Sequence, residues 1–417
     1  MLNWASQFNI CSFLDDQQYS RAPHFHDCLL ACGAIERFTG STVKELDVFL
    51  ERNPDWRFFH LTFEALSDTV STESTTDKWG FAPMGCFVPE YVLILSDSTI
   101  QIGSCKGDHA QVYLAITGSE PVIPGVPAHA LSIQAGVSRE RYLDIIRKLL
   151  EHIRRGDCYE INYCQEFYAQ DLVMDPLQTW LQLTDLSPNP FSAFYRVGHS
   201  YLLCASPERF LARKGTRLIS QPIKGTAPRD PENPERDHLL KEELRSSRKD
   251  RMENVMVVDL VRNDVSRVCR EGTVVVSELY GIYGFPQVYQ MISTIEGELR
   301  PEIRFGDILQ ACFPMGSMTG APKHRVLELI RAFEDGPRGL FSGSVGYMTP
   351  GGDFDANVVI RSLLYDQSSG YLSYFTGSGI TAGSTPESEY EECLLKGHAM
   401  YRMLTGDASG FPIAGTR

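Results

Sequence analysis

The chain has 417 residues, of which 43% are hydrophobic and 22% charged, as is ordinary for a globular protein with a sizeable core. Its net charge of −14 at pH 7 argues against a phosphate polymer, and hence nucleic acid, as a partner. The 11 cysteines include no CxxC pair, so neither a disulfide framework nor a structural zinc site is expected. Without a signal-like N-terminus or an apolar run of about 20 residues, we expect a cytoplasmic protein with no membrane span.

The first part of the chain, residues 1–117, alternates short apolar runs with loops. VLILSD (92–97) and AQVYLAIT (110–117) contain the aliphatic and aromatic residues that favour strands. The proline-rich segment 118–137 has the composition of a connector. These patterns predict an N-terminal subdomain over residues 1–117.

The second part of the chain combines helical patterns with glycine-rich strands. Apolar residues recur at helical spacing between Ser138, which can cap a helix, and Gly156, which can follow its end. The remaining predicted elements are strands and loops over 161–222, a helix over 237–261, a helix over 322–333, strands in LFSGSVGYM (340–348) and YLSYFTGSGI (371–380), a helix over 386–404 and a poorly ordered tail over 405–417. Many strands with a few long helices, in no regular alternation, favour an α+β fold.

Two pairs of acidic residues stand at helical spacing. Asp250 and Glu253 share a face of the predicted helix 237–261, and Glu389 and Glu392 repeat that spacing on the C-terminal helix. Carboxylates on two rigid helices would suit Mg²⁺, which binds few carboxylates and keeps waters for a substrate anion. Spacing alone, however, favours a solvated face with local salt bridges such as Glu392 to Lys396.

The segment QPIKGTAPR (221–229) places Lys224 between apolar residues and a glycine. A lysine that is desolvated in such a turn has a lowered pKa and can serve as a nucleophile or base. The simpler interpretation is a surface lysine in a loop. Glu208, in SPERF, precedes this segment, and a strand–turn–strand would bring the two side chains together.

Two glycine-rich turns, GSMTGAPK (316–323) and TGSGITAGS (376–384), allow backbone N–H groups to approach a ligand. The second turn precedes a predicted helix, and both features favour an anion such as a carboxylate. Ordinary turn chemistry explains them equally well, with Ser384 and Glu387 at capping-box spacing.

Taken in chain order, these segments resemble the chorismate-binding enzymes. The series is GDCYEINYCQ (156–165), SPERF (206–210), PIKGTAPR (222–229), KDRMENVMVVDLVRND (249–264), FPMGSMTGAPK (313–323), GSVGYM (343–348) and FTGSGITAGSTPESEYEECLLK (375–396). The resemblance covers residues 138–404 and implies a catalytic domain there. It also implies a fold of two large β-sheets packed as a sandwich with outer helices, to which residues 1–117 contribute.

The resemblance implies a set of site residues. They are Glu253 and Glu392 as Mg²⁺ ligands, Asp250 and Glu389 as nearby acids that order the metal's waters, and Arg361, the backbone of Gly377, Ser378 and Gly379, Lys396 and Thr226 as substrate-binding groups. Chorismate is a dianion, and a metal together with arginine and N–H donors would supply the positive charge that an acidic chain lacks.

Three residues indicate a branch of the family. Lys224 stands where anthranilate synthases usually have Ala, and Asn254 and Gln290 stand where they tend to have His. At these three positions the sequence resembles component I of the aminodeoxychorismate synthases. Those are aminotransferase-class enzymes of 4-aminobenzoate and folate biosynthesis. That resemblance implies amination of chorismate at C4 to give 4-amino-4-deoxychorismate. Lys224 would attack C2, Glu208 would act as general acid on the leaving hydroxyl, and ammonia would then add at C4 and expel Lys224.

The ammonia source implies a partner. No cysteine lies in the glycine-flanked nucleophile turn of class I glutamine amidotransferases, so the resemblance implies a separate glutaminase subunit of that class. One alternative is component I of anthranilate synthase; the LLES-type segment that marks feedback inhibition in those enzymes is not found, so regulation by tryptophan is not expected. The other is a chorismate-binding protein without catalysis, which is disfavoured because Glu208, Lys224, Glu253 and Glu392 are all present.

Overall fold

A computed structural model describes residues 1–19, 26–66, 77–96, 98–120 and 131–407. Its strands, in chain order, are β1 (Ile10–Asp15), β2 (Cys28–Cys32), β3 (Glu36–Gly40), β4 (Arg57–Leu61), β5 (Met84–Val88), β6 (Tyr91–Ser96), β7 (Thr99–Ser104), β8 (Gln134–Ala135), β9 (Glu160–Ala169), β10 (Phe191–Val197), β11 (Ser200–Ser206), β12 (Arg209–Lys214), β13 (Arg217–Gln221), β14 (Ile223–Pro228), β15 (Val275–Gly284), β16 (Val288–Glu298), β17 (Gly320–Ala321), β18 (Ser344–Met348), β19 (Phe354–Asn357), β20 (Ser362–Asp366) and β21 (Tyr371–Thr381).

The helices of the described residues surround these strands. They are α1 (Leu2–Ala5), α2 (Val43–Arg52), α3 (His109–Thr117), α4 (Arg139–Arg154), α5 (Pro176–Leu186), α6 (Pro234–Ser246), α7 (Arg248–Ser266), α8 (Phe305–Cys312), α9 (Lys323–Phe333) and α10 (Pro386–Thr405), with a 3₁₀ turn over Gly316–Met318. Within the described ranges, none of them is both long enough and apolar enough to span a bilayer.

The strands form two antiparallel sheets, which confirms the predicted α+β sandwich. An eleven-stranded sheet runs in the order β17-β9-β21-β20-β11-β10-β1-β2-β6-β7, with β8 also on β9. A ten-stranded sheet runs in the order β14-β16-β13-β12-β19-β18-β4-β5-β3, with β15 also on β16. One apolar core combines residues of both sheets, whereas a second lies between the larger sheet and helices that include α4, α5, α9 and α10. Strands from residues 1–117 join both sheets.

The predicted helix after Ser138 is confirmed as α4, since the Ser138 side chain accepts a hydrogen bond from the Arg141 N–H and Gly156 follows with φ +82°. The predicted strand 92–97 corresponds to β6. The strand predicted over 110–117 is wrong, because that segment forms α3. An apolar run of this length does not distinguish helix from strand, and Val112 is the one buried residue of α3.

Three other expectations about helices change. The single helix expected over 237–261 is interrupted at Ser247, whose side chain caps α7 by accepting from the Asp250 N–H. Helix α5 interrupts the strands expected over 161–222. The cap of α10 is Thr385 rather than Ser384, since the Thr385 side chain accepts from the Ser388 N–H. Helix α10 continues to Thr405, and residues 408–417 of the expected tail lie outside the described residues.

The two sheets come together near one pair of edges. Strand β14 is the edge of the smaller sheet, and β9 lies beside the two-residue strands β17 and β8 in the larger one. Helix α7 packs on β14 and β16, and α10 packs on β21, which is the neighbour of β9. These strands and helices include four of the motif segments from the sequence: 156–165, 222–229, 249–264 and 375–396.

Candidate active site

Lys224 lies in an irregular part of β14. The pairing of β14 with β16 shifts register between Ile223 and Thr226, so Lys224 and Gly225 fall outside the regular ladder. Gly225 adopts φ +97°, and a Cβ at that position would lie 2.9 Å from the Cβ of Asp250. Only glycine therefore lets the bulged strand approach α7 this closely.

Asn254 of α7 holds this bulge in place. Its Nδ2 donates to the carbonyl oxygens of Lys224 and Met291, each at 3.4 Å, while its Oδ1 accepts from Ser293 Oγ at 2.6 Å. Asn254 is 1% exposed, so its amide is committed to these backbone and hydroxyl groups. The residue that helped to indicate the branch thus fixes the backbone from which the Lys224 side chain projects.

The Lys224 ammonium forms an ion pair with Glu160 across the two sheets. The distance from Lys224 Nζ to Glu160 Oε1 is 2.6 Å, and the two side chains are 13% and 3% exposed. Gly379 of β21 makes room for the pair, because a Cβ there would lie 2.8 Å from Glu160 Oε1 and 2.9 Å from Lys224 Nζ.

The structure contradicts both interpretations of Lys224, as a surface lysine in a loop and as a lysine with a lowered pKa. Burial by itself lowers that pKa, but the nearby Glu160 carboxylate, with smaller contributions from Glu253 and Glu208, raises it above its ordinary value. Lys224 is therefore an ammonium in the resting protein, and it must lose a proton before it can attack an electrophile.

Glu208 is a buried acid within electrostatic reach of Lys224. Burial raises the pKa of Glu208 to about 7, while hydrogen bonds from Ser317 and the Ile223 backbone and the charge of Lys224 oppose part of that rise. Glu208 as a whole is only 4% exposed. A carboxyl group with such a pKa holds a proton near neutrality and can act as a general acid.

The acids of α7 and α10 face one region. Burial raises the pKa of Glu253 to about 7, and the charges of Lys224 and Lys249 oppose that rise. Burial also acts on Glu392, but Lys396, Lys249 and Lys224 outweigh it and lower the pKa of Glu392. Lys224 and Lys249 act on both carboxylates, so Glu253 and Glu392 lie within electrostatic reach of the same two ammonium groups.

The two neighbouring acids have different environments. Asp250 accepts a short hydrogen bond from Ser247 Oγ at the start of α7, so its carboxylate already has a capping role. Glu389 is 3% exposed, and its Oε2 has no hydrogen-bond partner among the described residues. A buried carboxylate oxygen without a donor fits a site that receives a cation or an ordered water.

These residues are compatible with Mg²⁺ without forming a complete cage. No group of three His, Cys, Asp or Glu side chains in the described ranges is close enough to hold a metal ion on its own. Mg²⁺ commonly uses one or two carboxylates and completes its shell with water and substrate oxygens. Glu253 and Glu392 therefore supply a suitable pair of protein ligands.

Arg361 has no counter-ion among the residues that the structure describes. Among the described residues its guanidinium makes no hydrogen bond or ion pair, and burial lowers its pKa. Its backbone adopts φ +51°, a strained conformation for a residue other than glycine. A partly buried guanidinium that is unpaired within the described ranges, on a strained backbone, is suited to bind a carboxylate of a ligand.

The other predicted binding groups lie on β21, β14 and α10. Gly377, Ser378 and Gly379 pair with β9, and Gly377 and Gly379 are partly exposed whereas Ser378 is fully buried. Lys396 Nζ donates to the Gly377 carbonyl at 3.0 Å and lies 2.8 Å from Glu392 Oε1. Thr226 is exposed and lies opposite Gln290 in the ladder.

Glu160 is the functional residue that sequence reasoning missed. The motif GDCYEINYCQ contains it, but its role depends on Lys224, which lies 64 residues further along the chain. The available signal was an ionisable residue at the start of a strand whose residues are otherwise mostly apolar.

Comparison with known proteins identifies the family. The sequence model for chorismate binding enzymes matches residues 17–402, which extends the resemblance well upstream of residue 138. The chain belongs to the chorismate-binding enzyme family. Its fold agrees, since anthranilate synthase component I from Streptococcus pneumoniae TIGR4 superposes with a TM-score of 0.78 at 22% identity, over 92% of this chain and 95% of that one.

Curated relatives within the family include both predicted branches. Aminodeoxychorismate synthase component 1 of Escherichia coli K12 is 40% identical over 65% of this chain and 59% of its own length. The chloroplastic aminodeoxychorismate synthase of Arabidopsis thaliana is 40% identical over 63% and 28%, respectively. Anthranilate synthase component 1 of Thermus thermophilus is 36% identical over 67% and 61%. The matches thus span less than two thirds of each of these relatives.

Proposed function

We propose that this chorismate-binding enzyme replaces the C4 hydroxyl of chorismate with ammonia, giving 4-amino-4-deoxychorismate for the synthesis of 4-aminobenzoate and folate. The observation that carries the proposal is the buried Lys224 ammonium, held by Glu160 between the two sheets, with the buried acid Glu208 within its electrostatic reach. A nucleophilic amine and a proton donor are the two groups that a covalent amination at C4 requires.

The reaction proceeds by two allylic displacements. Lys224 loses its proton and forms a bond to C2 while the C4–O bond breaks, and Glu208 gives its proton to the departing hydroxide to form water. Ammonia then bonds to C4, and the bond between C2 and the Lys224 nitrogen breaks. Glu208 recovers its proton from the new C4 ammonium group, so the net change is chorismate plus ammonia to aminodeoxychorismate plus water.

Binding and charge balance would come from the other residues that the sequence predicts for the site. Arg361 is free to bind a carboxylate of chorismate, and the Gly377–Gly379 backbone supports the neighbouring surface together with Lys396 and Thr226. Glu253 and Glu392 would hold Mg²⁺, with Asp250 and Glu389 beside them. When bound, that ion would neutralise the ring carboxylate and stabilise the charge that develops there.

Ammonia would come from a separate class I glutamine amidotransferase subunit. The E. coli and Arabidopsis relatives differ in a way that fits this proposal, since the former is named component 1 and the latter carries no component number. We also place the protein in the cytoplasm, because all 11 cysteines are free thiols, as in a reducing compartment.

Product identification tests the proposal. The purified chain is incubated with chorismate, ammonium and Mg²⁺, and the product is identified by mass and by coupling to a lyase that releases 4-aminobenzoate. We expect aminodeoxychorismate from ammonium, and none from glutamine until a glutaminase subunit is added. A directly fluorescent product would indicate anthranilate, and unconsumed chorismate would indicate a binding protein without catalysis; either result would overturn the proposal.

A further inference from the structure

The proposed chemistry leaves one proton without a destination. Lys224 rests as an ammonium beside Glu160, yet the attack on C2 requires the neutral amine. Glu208 cannot accept that proton, because its own role is to donate one to the departing hydroxide. A second group near Lys224 must therefore take the proton from its ammonium.

Glu160 has the geometry for this task. Its Oε1 lies 2.6 Å from Lys224 Nζ, which is hydrogen-bonding distance, and the Glu160 side chain is only 3% exposed. No other carboxylate of the described residues lies within ion-pair distance of that nitrogen. Gly379 leaves the space between the two groups open, and the Asn254 amide keeps the Lys224 backbone fixed.

We propose that Glu160 accepts the proton of Lys224 before the attack on C2 and returns it when Lys224 leaves. This inference rests on the proposed amination. In the first step the Lys224 N–H bond breaks, the Glu160 carboxyl gains the proton, and the nitrogen lone pair forms the bond to C2. In the last step Lys224 leaves as a neutral amine and recovers the proton from Glu160, which restores the ion pair for the next turnover.

Two other roles for Glu160 have to be separated from this one. It could be a further ligand of Mg²⁺, since its charge acts on Glu253, or it could simply hold the two sheets together. The charged groups that act on Lys224 are carboxylates from four parts of the fold: Glu160 of β9, Glu253 of α7, Glu208 before β12 and Glu392 of α10. Of these four carboxylates, only Glu160 is hydrogen-bonded to the Lys224 amine. The other three should therefore not compensate for its removal.

The test compares Glu160→Gln with the wild-type enzyme in the ammonium assay. Glutamine keeps the size of the side chain but cannot take a proton, so we expect kcat at pH 7 to fall by about 10²-fold or more, with little change in the KM for chorismate. Lys224 must then release its proton to solvent. The ratio of wild-type to variant kcat should therefore shrink as the pH rises, whereas the wild-type enzyme transfers the proton internally.

Matched controls make the comparison specific. Glu166 is another acid of β9, and it forms an ion pair with Lys78 instead of Lys224. The substitution Glu166→Gln should therefore leave kcat and its pH profile unchanged. Glu160→Asp keeps a carboxylate and should recover part of the activity. In a Lys224→Ala background, adding Glu160→Gln should cause no further loss, because Glu160 acts through Lys224.

Each result has a defined meaning. Equal kcat values of Glu160→Gln and wild type, or a ratio independent of pH, would overturn the inference. A raised Mg²⁺ requirement without a change in the pH profile would assign Glu160 to the metal instead. If the wild-type chain itself forms no aminodeoxychorismate, the proposed function fails; if it does and Glu160→Gln matches it, only the role of Glu160 fails.

Discussion

Two lysine–glutamate ion pairs have nearly the same N–O distance but different surroundings. Lys224 and Glu160 are 2.6 Å apart, and their side chains are 13% and 3% exposed. Lys396 and Glu392 are 2.8 Å apart, with side chains 49% and 38% exposed. Water screens the second pair, whereas the first is held in a site where charges interact strongly and where breaking the pair leaves an uncompensated ion. The contact distance alone thus says little about what a pair contributes.

The largest effect is expected from Glu253 and Glu392, the acids that we propose as Mg²⁺ ligands. Glu253→Gln and Glu392→Gln should each abolish turnover without unfolding the protein, because two carboxylates cannot hold Mg²⁺ when one is neutral. The measurement is initial rate against Mg²⁺ concentration, with circular dichroism to check the fold. Full activity of either variant at limiting Mg²⁺ would contradict the assignment.

A smaller but still large effect is expected at Glu208. Glu208→Gln should lower kcat by about 10²–10⁴-fold, since the amide cannot protonate the leaving hydroxyl. The wild-type enzyme needs the acid form of a group whose pKa is raised to about 7, so its kcat should fall as the pH rises through that value. In Glu208→Gln this decrease of kcat with rising pH should be absent. A variant that kept the same alkaline limb would show that another group sets it.

The smallest effect is expected from the exposed pair. Lys396→Met removes the contact with Glu392 but keeps the carboxylate that is assigned to Mg²⁺. A solvent-exposed pair contributes about 0–1 kcal/mol, so kcat/KM should fall only a few-fold. We would measure kcat/KM for chorismate in parallel with Glu392→Gln. Equal losses in both variants would mean that the ion pair itself, rather than the metal ligand, matters.

The same contrast explains what the sequence could predict. The pair of Glu392 and Lys396 lies within one helix, so local spacing revealed it, as it did the acids Asp250 and Glu253. Glu160 and Lys224 lie on different sheets and are 64 residues apart in the chain, so no local pattern links them. For that reason the sequence predicts neither the burial of Lys224 nor the direction of its pKa shift, because both depend on contacts with the other sheet.

The fold also has elements that local sequence signals predict and elements that they do not. The helix between Ser138 and Gly156 was predictable because its cap, apolar face and terminating glycine agree. The segment 110–117 has no such agreement among local signals, and the helix it forms packs near the edge strand β7. The unpaired guanidinium of Arg361 was named from the motif, but its strained backbone was visible only in the structure.

The most direct test of the account is the product that Lys224→Ala forms from chorismate, ammonium and Mg²⁺. Because the variant lacks the covalent step but keeps Arg361 and the metal-binding acids, kcat should fall sharply while the affinity for chorismate changes little. Any residual amination should shift to direct attack at C2 and give the ortho-amino product, identified by mass and fluorescence. Near-normal rates of 4-amino-4-deoxychorismate formation by Lys224→Ala would contradict the covalent mechanism and leave Lys224 as an electrostatic partner of the substrate.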